Sequence, residues 1–180
     1  MKNVRAIVKS INAFNNRIGV VIAWAALAMV AVQFAVVIMR YVYGIGSIFM
    51  QESVIYLHGT LFMVGAGYTL LHGGHVRIDI FYRAASPRRK AVVDLLGVLL
   101  FLIPVCALIG WASWPYVQSS WAVFEGSREL SGIQGVFLLK SVILVFVVLM
   151  ILQGISLALH SALVLAGVET DSAADGFGSL

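Results

Sequence analysis

The chain has 180 residues, 61% hydrophobic and 11% charged, with 12 basic and 8 acidic side chains and a mean hydropathy of +0.99. Soluble domains carry about 25% charged residues, so this composition cannot clothe a water-facing globule, and a soluble enzyme domain is excluded. The lone cysteine, Cys106, lies inside an apolar stretch, which excludes a secreted disulfide scaffold.

Taken in chain order, the first segment places Val4, Ile7, Val8, Ile11, Phe14 and Ile18 at three- and four-residue spacing. Lys2, Arg5, Lys9, Asn12 and Asn16 fall on other faces, which predicts an amphipathic helix over residues 1–17 lying in the membrane interface. A frayed basic leader is the plainer alternative. The apolar run that follows, Ile18–Met39, is longer than a signal-peptide core and reaches Arg40-Tyr41 without a small-residue cleavage site, so it is expected to be a retained span. A second span over about 53–71 closes on His72-Gly73-Gly74, a cationizable last turn and a glycine stop. The third, about 92–117 with its apolar stretch at Leu95–Val117, is entered through Ser86-Pro87, a capping residue followed by proline at the first helical position. Pro104 is expected to kink that helix, and Trp111, Trp114 and Tyr116 gather at its far end as an aromatic belt. A fourth span covers 136–164, and residues 166–180, with Glu169, Asp171 and Asp175, read as a flexible tail. Each run is near or above the roughly 18–20 helical residues that cross a hydrocarbon core about 30 Å thick.

Basic residues alternate between the connections. The N-terminal segment carries Lys2, Arg5, Lys9 and Arg17, and the first loop Arg40 alone. The second loop carries Arg77, Arg83, Arg88, Arg89 and Lys90, and the third only Arg128. By the positive-inside rule the N-terminus, the second loop and the C-terminus are expected in the cytoplasm. The fold class is therefore an all-α integral membrane protein of four transmembrane helices, N-in/C-in. Arg83, Arg88, Arg89 and Lys90 are expected to meet anionic phospholipid headgroups, each worth about 1 kcal/mol. The same asymmetry explains a pI near 9.5 without a nucleic-acid partner.

Within the four apolar stretches the only charged residue is Lys140, and the first offers a polar group only in Gln33. Transporters that move ions or polar solutes place acids or broken helices near the midplane, and neither pattern occurs. A chain that transports alone is therefore disfavoured, and a supporting subunit is the leading reading. The alternative is a haem-binding anchor of a respiratory complex, which needs two imidazoles at one depth. His58 has no match, whereas His72 and His160 both lie near cytoplasmic ends. Lys140 can pair with Glu125, Glu129 or Glu52, snorkel outward or meet a substrate. Gln33 and Gln153 can each hydrogen-bond to a neighbouring helix, and the stripes Gly65–Thr69–Gly73 and Gly154–Ala158–Ala162 mark packing seams, inside the chain or against a partner. If helix continues past the second span, Asp79 pairs with His75 and Arg83 at four-residue spacing. One His and one Asp are too few for a metal site; no cofactor, metal or enzymatic activity is expected.

Glu52, then Gly65-Ala66-Gly67, then Gly74-His75-Val76-Arg77-Ile78-Asp79 follow one another in an order that resembles the small membrane subunit of tripartite ATP-independent periplasmic (TRAP) transporters. The likeness covers about Ile18 to Leu165, and Trp121, Glu125-Gly126-Ser127 and Lys140 look like one branch of that family. Gln51 departs from it, standing where many members carry a second acid. The resemblance implies a bacterial inner-membrane scaffold docked beside a large membrane subunit that carries a sodium-coupled elevator. A periplasmic solute-binding protein would deliver an organic anion. It also implies that Glu52, Gly65, Gly67, His75, Arg77 and Asp79 are motif residues. Glu52, Glu125, Arg128, Glu129 and Lys140 would then offer periplasmic surface to a partner.

Overall fold

A computed structural model describes residues 2–75, 82 and 85–168. Its regular elements are all helical: α1 (Lys2–Tyr41), α2 (Ile48–Leu71), α3 (Pro87–Gly97), a π-helical turn (Val98–Leu102), α4 (Ile103–Ala122) and α5 (Val136–Leu165). The third helix runs on from α3 through the π turn into α4, so four helices are long and apolar enough to cross a membrane.

Local chemistry sets the ends. Ser47 accepts a hydrogen bond from the Met50 amide at 3.4 Å and starts α2. At the other end the Gly74 amide reaches back to the Thr69 carbonyl at 2.8 Å while Gly73 takes a φ of 63°, a left-handed closure that β-carbons resist. The end of α5 is built the same way, with Val168 N–H on Leu163 O and Gly167 at φ 71°. Pro87 occupies the first turn of α3, but the Ser86 side chain makes no capping bond.

The helix α1 is 40 residues without a break, roughly 60 Å long, about twice the hydrocarbon thickness. The boundary expected at residue 17 thus falls inside one continuous rod. At Pro104 the structure resolves the missing N–H through the π turn, where Ile103 N–H bonds to Val98 O five residues back. That turn faces α5 where the helices come closest, since a β-carbon at Gly154 would sit 2.7 Å from Leu102 Cδ2. The central element is α5. On one side it packs against α1 and α2, which also pack on each other, and α3 and α4 lean chiefly on α5. The core is Ala66, Cys106, Val147 and Met150, flanked by Leu70, Leu102, Ile109 and Phe146. Both described termini lie at one end of this arrangement, and the connections 42–47 and 123–135 lie at the other.

Candidate functional site

The loop end is braced by two carboxylates. Glu52, in the first turns of α2, accepts from Ser127 Oγ at 2.5 Å and from the Ile133 amide at 2.6 Å. One side chain therefore pins both arms of the 123–135 connection to α2. Tyr56, one turn on, reaches the Ile133 carbonyl at 3.4 Å, and a β-carbon at Gly132 would collide with Ser127 and Glu52. Glu125 pairs with Lys140 of α5, whose ammonium also sits 4.0 Å from the centre of the Tyr116 ring. The Glu125 carboxyl is held below its ordinary value, first by the Lys140 hydrogen bond and then by Ser120. Above this pair Trp121 donates to Ser141 Oγ at 2.7 Å and packs edge-on against Phe137. Both rings also meet the exposed Phe124 edge-on, whose φ of 46° is the strained reversal out of α4. Arg128, Glu129 and Leu130 are left exposed at the tip, Leu130 fully so.

A second polar assembly lies toward the terminal end, between α1 and α5. Asn15 Nδ2 donates to Gln153 Oε1 at 2.8 Å, Gln153 Nε2 donates to Asn12 Oδ1 at 3.2 Å, and Ser156 Oγ donates to the same oxygen at 2.6 Å. Asn15, Gln153 and Ser156 are at most 1% exposed. Alongside, His72 Nε2 meets Asn16 Oδ1 at 3.0 Å and stacks on Tyr68. Arg5 donates to the Val168 carbonyl at 2.9 Å, placing its cation at the negative end of α5. Asn12 and Asn16, which the sequence sets off the apolar stripe of residues 1–17, turn into the bundle. The asparagines point into the bundle because Gln153, Ser156 and His72 offer partners there, and it is Ile7 and Phe14, about half exposed, that face outward. Asn15, which the apolar pattern gave no reason to single out, is the most buried residue of α1.

The glycines of the motif differ in what they do. A β-carbon on Gly67 would lie 2.9 Å from Asn15 Oδ1 and 3.3 Å from Leu149 Cβ, so glycine is what admits α1 and α5 to α2. At Gly65 it would meet only Ile22, at 4.0 Å. His75 is exposed just past α2; Arg77, Asp79 and Arg83 lie outside the described residues. Arg88 and Arg89 are exposed at the start of α3, and Lys90 sits 5.6 Å from the Tyr82 ring. Among the described residues no group of three or more His, Cys, Asp and Glu is placed to hold a metal ion.

Against this geometry, a family model described as the DctQ component of tripartite ATP-independent periplasmic transporters matches residues 29–163. The chain belongs to that family. Neither the curated proteins nor the solved structures gave a match. As a DctQ component, the chain is the small membrane subunit of a system that also comprises a large membrane subunit and a periplasmic binding protein. Within this DctQ component Glu52 and the Glu125–Lys140 pair are bonded into the loop end, and Arg128, Glu129 and Leu130 are among the residues exposed there. His72, one of the two histidines near the cytoplasmic ends, has its Nε2 in contact with Asn16 Oδ1 at 3.0 Å.

Proposed function

We propose that this chain is the stationary scaffold of a sodium-coupled TRAP transporter. It sits beside the large subunit in the bacterial inner membrane with both termini in the cytoplasm. A periplasmic solute-binding protein delivers the organic anion, and the large subunit moves it. The observation that supports this most directly is the fate of the polar groups within the helices. Asn12, Asn15, Gln153 and Ser156 bind one another across helices. The acids on the spanning helices, Glu52 and Asp94, sit near helix starts and are engaged by Ser127 with Ile133 and by Tyr82. A solute path needs polar groups lining a water-filled route inside the bundle at mid-depth, and the four buried between α1 and α5 face one another. Arg88, Arg89 and Lys90 then grip anionic headgroups, and the braced Arg128–Leu130 tip is the surface offered to the binding protein.

Reconstitution separates this role from transport. The large subunit in vesicles, with binding protein and a sodium gradient, is expected to take up the anion only when this chain is present. Sodium-driven uptake by this chain alone would refute the scaffold reading.

A further inference from the structure

Two polar side chains stand on the outer surface of the bundle inside the spanning helices. Gln33 lies eight residues before the end of α1 and His58 ten residues after the start of α2, so each is roughly 12–15 Å in from its helix end. Both are exposed, and neither makes a hydrogen bond to any described residue; His58 only stacks on Phe62. They belong to one seam. Gln33 lines a groove of about 530 Å³ between α1 and α2 together with Val54, and His58 is one turn from Val54 on the same face of α2. Another turn on, Phe62 opens a second groove of about 420 Å³ in the same helix pair, floored by Gly65, Ala66 and Thr69. Gly65 is the motif glycine whose absent side chain the chain itself does not use.

Lipid tails offer such amide and imidazole groups no partner, and neither reaches the headgroups from this depth. By contrast the exposed residues from the π turn into the first turns of α4, Leu99, Leu100, Phe101, Val105 and Leu108 among them, are apolar and suit lipid. We infer that the α1–α2 seam is the seat of one transmembrane helix of the large subunit. That helix bears a hydrogen-bonding side chain opposite Gln33 and His58 and approaches closely over Gly65. The inference rests on the reading that this chain docks beside a large subunit, and it assigns the face.

The test uses the intact complex in native membranes. A photoreactive phenylalanine derivative is placed at position 33, 58 or, on the opposite face, 101. Positions 33 and 58 are expected to give adducts with the large subunit, and 101 with lipid. Gly65→Phe, whose β-carbon meets only Ile22 at 4.0 Å and whose ring has the adjoining groove to enter, is expected to leave this subunit folded by gel filtration yet lower co-purification of the large subunit more than tenfold, as a blocked close approach should. Gln33→Leu should weaken retention by roughly three- to tenfold, the value of one interhelical hydrogen bond. Lipid or second-copy adducts at 33 and 58, with the large subunit captured at 101, overturn the assignment. Failure of the unsubstituted chain to co-purify with the large subunit would instead remove the docking reading on which it rests, and the assignment with it.

Discussion

The Asn15–Gln153 contact makes a quantitative claim about what fastens α1 to α5. Gln153 is bonded twice, to Asn15 at 2.8 Å and Asn12 at 3.2 Å, whereas Asn15 Oδ1 is buried without a hydrogen-bond partner. Interhelical bonds in membranes are worth about 0.6–2 kcal/mol, and a stranded buried amide costs about 1–3 kcal/mol. Gln153→Met breaks two bonds and strands Asn15 Nδ2, so it should destabilise by about 2–3 kcal/mol. Asn15→Leu breaks one bond and strands Gln153 Oε1, but it also removes the unpaired Asn15 oxygen, so it should cost less, about 1–2 kcal/mol. The double variant replaces both partners with apolar groups of similar shape and should fall short of the sum by about 1 kcal/mol or more. Unfolding in mixed detergent micelles, followed by tryptophan fluorescence, measures all three. Additivity within about 0.5 kcal/mol would refute the pairing as the source of stability. Equal effects of the two single variants would refute the role given to the unpaired oxygen.

Three further outcomes follow from the same geometry. Gly67→Ala forces a methyl against Asn15 and Leu149 and should destabilise the detergent-solubilised chain by about 1–3 kcal/mol, whereas Gly65→Ala in the same assay should be near neutral. Glu52→Ala removes the acceptor of the Ile133 amide, so hydrogen exchange at Ile133 should quicken while amides in the middle of α2 keep their protection. For Glu125, a folded-state pKa depressed below the unfolded value means its contribution is complete above the unfolded carboxylate pKa, about 4.3, and is lost as pH falls through the lower folded value. The thermal stability gap between the parent and Glu125→Gln should therefore stay constant from pH 7 to 5 and close only in more acid solution.

Apolar run length and loop charge made the four helices legible in the sequence, because hydrocarbon thickness constrains every spanning helix in the same way. Lys140 was legible as one member of a pair, though not its choice of Glu125 over Glu52 and Glu129. That choice depends on how the 123–135 connection folds, and no local pattern encodes it. The same holds for Glu52, whose position in the motif stood out while its partners, Ser127 Oγ and a backbone amide, are some eighty residues away. Residues 1–17 show what a period leaves unspecified. Their apolar stripe is real, but a helical period does not say which face turns inward when the polar face has buried partners. Asn12 and Asn16 have them in Ser156, Gln153 and His72. Likewise Pro104 announced a local problem without announcing that a widened turn would solve it, since the choice of remedy depends on Leu102 and Val98 meeting Gly154.

The distribution of polar pins also predicts where the bundle yields first. At the terminal end α1 is joined to α5 through Asn12, Asn15 and Arg5, and to α2 through Asn16 and His72. At the loop end Trp121, bonded to Ser141, and Tyr116, under Lys140, hold α4 to α5. The terminal half of the third helix meets α5 around Gly154. It rests there through apolar contacts such as those of Val98 and Leu102 around Gly154, with Val92, Val93 and Leu96 turned outward. Apolar helix packing of this kind is easily reversed in a bilayer, where lipid tails are as apolar as the partner helix. In a bilayer disc, amides of α3 should therefore exchange faster than those of α5 at the same depth, and those of α4 beside Trp121 should exchange as slowly as α5. A new pair across Gly154, such as Gly97→Ser with Gly154 unchanged, would test little, because position 97 has no neighbour within 4 Å. Gly154→Leu is the informative change. Its side chain must displace Leu102, so exchange should quicken through α3 while the α1–α5 network keeps its protection. Uniform loss of protection across all four helices would show that the third helix is not a separable unit and that the pins do not set the order of opening.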